Sequence, residues 1–157
     1  QGCRGVARYP EPMSVAIRRA LYGKMAGDTT LVAMLGTPPT GYSKSIFHQQ
    51  APSGGEFPYI IFQKQSGTPR YAIGARAYDS DLWLVKGVDR PSGPRDNTAD
   101  RVDAIASRLD VLLTDSTLSI SGRTELLLRR ESDVEYLETE DGVFYRHAGA
   151  TFRLIYE

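Results

Sequence analysis

The stretch Ala51-Pro52-Ser53-Gly54-Gly55-Glu56-Phe57-Pro58-Tyr59-Ile60-Ile61-Phe62 marks the point at which the chain changes character. Its first half has the composition of a loop, because two prolines fix φ and two adjacent glycines allow conformations that other residues avoid. Its second half is an apolar run of aromatic and β-branched residues, which is typical of a strand. Pro58 lacks a backbone donor and therefore suits the first residue of that strand. The chain is predicted to be helix and loop before this stretch and mostly long strands after it.

Two helices are predicted before this stretch. Ser14 caps the first, in which apolar residues recur at helical spacing as far as about Ala26. Asp28 caps a second, shorter helix, which ends at Gly36 before a pair of prolines. Residues 1–13 are predicted to form an N-terminal arm, either a disordered tail or a segment that docks on a neighbouring subunit.

Long strands are predicted on either side of a turn at residues 66–69. The first covers residues 59–65. The second covers residues 70–87 and is weakened, and bent, at Gly74. Residues 82–85 (Leu-Trp-Leu-Val) are apolar on both faces, which favours a central position in a sheet.

The strongest helix in the chain is predicted at about residues 98–113, where apolar residues recur at i, i+3, i+4 and i+7. A short strand at residues 118–120 and a long strand at residues 124–138 follow it. Asp141-Gly142 is a strong hairpin signal before a last strand at residues 143–156.

The order of these elements, with a further short strand at residues 46–47, predicts an α+β fold. We expect a mainly antiparallel β-sheet with the long helix (about residues 98–113) packed on it, together with an N-terminal helical segment. Residues 14–157 are expected to form a single domain, because a chain of 157 residues is long enough to bury one core.

Composition excludes several functional classes. Lys plus Arg and Asp plus Glu each number 19, so the formal net charge is zero, whereas a dedicated nucleic-acid binder usually carries a basic excess. No apolar run approaches the roughly 18 residues of a transmembrane helix, so no membrane partner is predicted. Cys3 is the single cysteine and therefore cannot form an internal disulfide.

Residues with catalytic or metal-binding chemistry are scarce. The chain has only two histidines, His48 and His147, and neither belongs to a metal-ligand spacing. The sequence contains no G-x-S-x-G elbow and no G-x-x-x-x-G-K-[ST] phosphate loop. We therefore predict no catalytic residues, no cofactor and no metal ligands, and we do not expect the chain to be an enzyme.

One acidic strand supports a rival hypothesis. At strand spacing Glu131, Asp133 and Glu135 share a face, which would suit a cation site or a paired-carboxylate active site. A small soluble enzyme or ligand-binding domain would use this strand together with His147. The simpler interpretation is a solvated outer face, or the negative wall of a lumen. Arginines on neighbouring strands could balance its charge by cross-strand pairing, namely Arg129, Arg130, Arg146 and Arg153.

Taken in order, these features resemble the tail-completion or tail-terminator family of long-tailed bacteriophages and related prophage particles. The first helix is followed by the element DTTLVAMLG at residues 28–36, and then by the motif A-P-x-G-x-x-F-P-Y-I at residues 51–60. The apolar-aromatic strand end at 82–85, the long helix, a Leu-x-Ile strand and a final Asp-Gly hairpin complete the pattern. The resemblance covers nearly all of residues 14–157. A longer loop at residues 87–97 and the N-terminal arm depart from it.

The resemblance implies a non-enzymatic structural subunit of the virion tail or neck, assembled in the host cytoplasm. Such subunits close into a homo-oligomeric ring, commonly a hexamer, at the head-proximal end of the tail tube. The ring ends polymerisation of the tail tube protein and presents a surface to the head–tail connector or neck proteins. DNA passes through its channel without specific binding, which agrees with the absence of a basic excess. A head–tail connector, or neck adaptor, is the nearest alternative.

A ring needs heterologous interfaces, in which one patch of each subunit meets a different patch of the next. Sheet edges such as residues 70–78, and loops such as residues 66–70 and 87–97, are candidates for these patches, including the extension of one sheet by a neighbouring subunit. The loop at residues 52–57 is expected to be ordered, to lie near a subunit or tube contact and to line no active site. The predicted subunit or tube contacts are Pro52, Gly54, Gly55, Phe57, Thr68, Arg70, Tyr71, Arg90 and Arg95.

Overall fold

The computed structural model of the chain describes residues 13–91 and 98–157. All but the last residue of the predicted N-terminal arm, part of the 87–97 loop and the contact residue Arg95 lie outside these ranges. The elements follow in the order α1 (Met13–Ala26), α2 (Thr29–Ala33), β1 (Ile46–His48), β2 (Tyr59–Ala72), β3 (Ala75–Asp89), α3 (Thr98–Leu113), β4 (Glu125–Glu140) and β5 (Val143–Tyr156).

The five strands form one sheet in the order β1-β2-β3-β5-β4. β1, the predicted short strand, lies parallel to β2, and the other neighbouring strands are antiparallel. This arrangement confirms the predicted α+β class with a mainly antiparallel sheet. The apolar residues 82–85 lie in β3, which is central as expected, because β2 and β5 flank it on its two sides.

The helices cover one face of the sheet, which we term the helix face. Trp83 of β3 and Phe152 of β5 are cross-strand partners on this face, and both are almost fully buried beside Leu21 of α1. α3 packs mainly on β5 and β3. Its close approach requires Gly87, because a Cβ atom there would lie 2.9 Å from the Ile105 Cγ2 atom. The long helix therefore packs on the sheet as predicted.

Both predicted N-terminal helices are present. α1 begins at Met13, so Ser14 lies inside the helix and the prediction that it caps the helix is wrong. Asp28 does cap α2, since its carboxylate accepts a hydrogen bond from the Leu31 amide (2.7 Å). No helix in the described part of the chain is both long and apolar enough to cross a membrane.

The β2–β3 hairpin is longer than predicted. Residues 66–69, predicted as a turn, continue β2, with Pro69 paired to Asp79. The strand predicted at residues 70–87 is therefore divided between β2 and β3. The turn falls at Gly74, whose φ is +83°, a conformation that glycine adopts without strain. β2 tolerates Pro69 because β1 pairs with only three of its residues and leaves the rest of β2 as a sheet edge.

The segment 118–120, predicted as a short strand, pairs with none of the described strands. Leu118 and Ile120 are buried in the core, so the alternating pattern reflects burial and not strand pairing.

The predicted final hairpin is confirmed. β4 and β5 meet at a turn in which Asp141 and Gly142 have φ values of 49° and 76°.

Candidate functional site

The sheet face opposite the helices, which we term the open face, supports the loop that contains four of the predicted contacts. At one end of this face Phe47, Ile61 and Val88 form a second buried cluster, and the loop residues Ala51 and Phe57 pack against it. The loop therefore rests on apolar side chains of the sheet and does not extend freely into solvent.

Backbone hydrogen bonds attach the loop to the segment after α2. The Gly36 amide donates to the Pro58 carbonyl (2.8 Å), and the Glu56 amide donates to the Thr37 carbonyl (3.4 Å). Gly36 has no room for a side chain, because a Cβ atom there would lie 2.6 Å from the Glu56 carbonyl oxygen. Gly54 has a φ of +83°, a conformation that glycine adopts without strain. This explains why one of the two adjacent positions is a glycine.

The loop and the turn end of the β4–β5 hairpin enclose a cleft of about 480 Å³ on the open face. The Phe57 ring lies 4.9 Å from the Tyr59 ring and 5.9 Å from the Tyr145 ring, measured between centroids. Glu138 and Glu140 also line the cleft, so its walls are aromatic and acidic. The structure brings four of the predicted contacts together along this cleft: Pro52, Gly54, Gly55 and Phe57.

His147 lines the same cleft and is only 6% exposed. Its ring stacks on Tyr136 with 4.3 Å between centroids, and the Lys86 ammonium donates a hydrogen bond to the Tyr136 hydroxyl (2.5 Å). Its Nε2 atom lies 3.0 Å from a Glu138 carboxylate oxygen, but without hydrogen-bond geometry. Burial, followed by the Lys86 charge, lowers the pKa of His147, and Glu138 opposes that shift. The imidazole is therefore mostly neutral near pH 7.

The cleft lacks the contacts of a catalytic or metal site within the described residues. Ser53 lines it, but neither ring nitrogen of His147 has a hydrogen-bond partner, so no nucleophile–base pair is formed. Residues 13–91 and 98–157 contain no group of three or more side chains suited to hold a metal ion. The cleft has the chemistry of a polar and aromatic contact surface.

The acidic strand does not present its three carboxylates on one face, and that prediction is wrong. A β-bulge between Arg130 and Ser132 shifts the alternation of side chains. Glu131 lies on the open face, where its two carboxylate oxygens accept hydrogen bonds from Arg153 (2.6 and 2.8 Å). Asp133 lies on the helix face and pairs with Arg130 (2.5 Å).

The rival hypothesis of an acidic active site loses its geometric basis. Glu135 follows Asp133 on the helix face, as the partner of Ala148, whereas His147 lies on the open face. The expected cross-strand pairing occurs for Arg153, which pairs with Glu131, whereas Arg130 pairs with Asp133 of its own strand. One of the four named arginines, Arg129, instead pairs with Asp115 (3.0 Å) after α3.

The ends of β2 and β3 extend past the rest of the sheet. β3 pairs with β5 only from Asp79 onward, so residues 70–78, which we term the arm, pair only with each other among the described residues. The predicted contacts Arg70 and Tyr71 lie in the arm, and Thr68 lies just before it. All three are exposed. The arm is thus a second surface, separate from the loop in sequence.

The predicted contact Arg90 lies in neither the loop nor the arm. It follows β3 and is exposed, whereas the preceding Asp89 is fully buried. The Asp89 carboxylate accepts hydrogen bonds from Arg101 Nε (2.9 Å) and Nη2 (3.0 Å), which attach the end of β3 to the beginning of α3. The structure therefore fixes the backbone beside Arg90, while Arg95 lies outside the described residues.

The interactions around His147 were not predicted, although one signal for them existed. Counting residue pairs away from the Asp141-Gly142 turn places Tyr136 opposite His147, which is the observed register. Lys86 had no such signal, because β3 is separated from this hairpin by α3 in sequence. Only the pairing of β3 with β5 brings it to the cluster.

No protein-family model matches the sequence, and a search of curated proteins finds no match. Solved structures do share its fold. A chain described as "Virion of native gene transfer agent (GTA) particle" superimposes with a TM-score of 0.72 at 15% sequence identity, covering 94% of this chain and 99% of that chain. Another structure, whose description names no function, superimposes with a TM-score of 0.57 at 16% identity, covering 91% of this chain and 94% of that one. These superpositions show a common fold over almost the whole chain.

Proposed function

We propose that the chain is a structural subunit of a phage-related virion, and specifically a tail terminator that closes into a six-fold ring at the head-proximal end of the tail tube. The shared fold with a chain of a gene transfer agent virion, over 94% of the present chain, carries this proposal. The ordered motifs that resemble the tail-completion family support it from the sequence.

In this role the ring stops polymerisation of the tail tube protein and offers a joining surface to the head–tail connector or neck proteins. DNA passes through the channel without specific binding, and a formal net charge of zero fits such a channel. The protein resides in the virion after assembly in the host cytoplasm, and it catalyses no reaction.

The surfaces described above support a role in assembly. Within the described residues the cleft contains no nucleophile–base pair, and the acidic strand has its carboxylates divided between two faces. The proposed contacts fall into three groups, one in the loop, one in or just before the arm, and one after β3. They are Pro52, Gly54, Gly55 and Phe57 in the first, Thr68, Arg70 and Tyr71 in the second, and Arg90 and Arg95 in the third.

Imaging of particles that lack this protein tests the proposal. A tail terminator predicts tails of unregulated and excessive length, because nothing stops the addition of tube protein, and adding the protein back should restore a single length. Tails of normal length that fail to join heads would assign the chain to the head–tail connector instead. Normal tails joined to filled heads would contradict both roles.

A further inference from the structure

The arm is poorly supported by the rest of the molecule. A two-stranded ribbon with no further strand beside it is marginally stable in water. Tyr71 is 72% exposed, Ile73 at the tip is fully exposed, and Tyr78 is also exposed. Three large apolar side chains on a ribbon that only pairs with itself indicate a surface that another chain covers.

The charge of the arm is entirely basic. Residues 70–78 (RYAIGARAY) contain Arg70 and Arg76 and no acidic residue. Arg76 pairs with Asp79 at the base of the arm, whereas Arg70 forms no ion pair within the described part of the chain. The cross-strand pairs set each arginine beside a tyrosine, Arg70 opposite Tyr78 and Arg76 opposite Tyr71.

The opposite edge of the sheet has the complementary charge. β4 is the last strand of the sheet, and its outer edge pairs with no described strand. Residues 131–141 (ESDVEYLETED) contain six acidic residues and no basic one. Glu131 and Asp133 pair with arginines, but Glu135 and Glu140 form no ion pair with any described residue.

A groove runs beside this edge between α3 and β4, with a volume of about 430 Å³. Its carboxylates come from both elements, with Asp103 on α3 and Glu135 on β4 among them. Val111, which is 71% exposed, lines the groove, and Leu137 on the adjacent part of β4 is half exposed. The β4 edge thus combines unpaired backbone groups, negative charge and exposed apolar side chains. The arm matches it with backbone groups that have no further described strand beside them, positive charge and exposed apolar side chains.

We propose that the arm of one copy of this chain docks on the β4 edge and the α3–β4 groove of a second copy, and extends its sheet. The arm extends from β2 and β3, whereas β4 is the last strand of the sheet, so each copy uses two different patches and the contact can repeat around a ring. The inference rests on the proposed ring and names its interface. Charged side chains on an edge strand normally prevent unspecific pairing with other strands. The acidic side chains of β4 repel other acidic strands and favour a basic one, such as the arm.

Charge reversal in the purified full chain tests this contact. Arg70→Glu and Glu135→Lys should each weaken self-association at least about tenfold in sedimentation velocity, because each places like charges across the interface. The two substitutions in one chain should restore most of the affinity. Lys44→Glu, a matched reversal outside both patches, should leave it unchanged. Wild-type affinity in Arg70→Glu, or no recovery in the double variant, would overturn the proposal.

Cross-linking tests the head-to-tail arrangement. In a Cys3→Ser background, Ile73→Cys marks the arm and Leu137→Cys marks the edge. A flexible bis-maleimide should produce a ladder of oligomers when both substitutions are in one chain, and only dimers when the two single variants are mixed. Dimers formed by the Ile73→Cys variant alone would show arm-to-arm contact and would contradict the proposed interface.

The outcomes separate this inference from the proposed function. A chain that remains monomeric up to about 1 mM, where even weak self-association is detectable, overturns the arm contact. The tail-length experiment on particles still decides whether the chain is a terminator. Conversely, an arm-dependent ring combined with normal tails in its absence would retain the interface and reject the terminator role.

Discussion

At the scale of single residues, Gly149 shows how closely two central strands approach each other. A Cβ atom there would overlap the Val85 carbonyl oxygen and lie 2.5 Å from the Lys86 Cα atom, and both of these are backbone atoms. We expect Gly149→Ala to reduce the free energy of unfolding by at least about 2 kcal/mol, because the strands must separate to admit the methyl group. Urea denaturation measures this change.

Gly23 provides the matched control for this substitution. It lies in α1, and a Cβ atom there would meet nothing within 4 Å. Gly23→Ala should therefore increase the free energy of unfolding by about 0.5–1 kcal/mol, because alanine favours a helix interior over glycine. A similar loss of stability in both variants would rule out the steric explanation.

His147 is expected to make folding stability depend on pH. Burial lowers its folded-state pKa below the usual value of about 6.5, so the unfolded chain binds the proton more readily. Stability should therefore fall as pH drops from about 7 through the folded-state pKa, below which the penalty is complete. His147→Gln removes this titration and should flatten the slope of the free energy of unfolding against pH in that window. An unchanged slope would show that His147 does not control it.

At the scale of elements, one carboxylate connects α2 to α3. Asp28 accepts a hydrogen bond from the Leu31 amide at the start of α2, and two from Arg108 Nε and Nη2 (3.0 and 2.5 Å). Asp28→Ala should reduce the free energy of unfolding by about 2–3 kcal/mol, because the cap and a charge-assisted pair are lost together. Thermal or urea denaturation at pH 7 measures the loss.

Asp28→Asn distinguishes the two contributions. Asparagine caps a helix about as well as aspartate, so this variant should lose only the charged interaction with Arg108. The hydrogen bonds from Arg108 lower the pKa of Asp28, so this stabilisation exists above about pH 4 and disappears as pH falls through the lowered pKa. A difference between wild type and Asp28→Asn that persists at pH 2 would contradict this account.

At the scale of the whole molecule, stability depends on the core between the helices and the sheet. Leu109 of α3 is 1% exposed within that core. Leu109→Ala should reduce the free energy of unfolding by about 2–5 kcal/mol through lost burial and the cavity left behind. Val111→Ala on the exposed side of the same helix should change it by no more than about 0.5 kcal/mol. Equal effects in urea denaturation would mean that α3 does not pack as described.

Local sequence patterns predicted the elements whose causes lie within a few residues. The apolar periodicity of α3, the Asp28 cap and the Asp141-Gly142 turn each depend on neighbours along the chain. The central position of β3 also followed from its sequence, because a strand that is apolar on both faces must be covered on both. These features were sufficient for the α+β class and for the resemblance to a known family.

The contact surfaces required the tertiary structure. The bulge beside Ser132 separates Glu131 from Asp133, and no local pattern marks it, because it is stabilised by pairing with β5. Thr68 and Pro69 resemble a turn, yet they extend β2, since the strand they pair with lies beyond the true turn at Gly74. Strand register, the projecting arm and the cleft around His147 all arise from contacts between residues distant in sequence. The free energy of such contacts depends on several strands that come together only in the folded sheet. The sequence of any single segment therefore does not predict it.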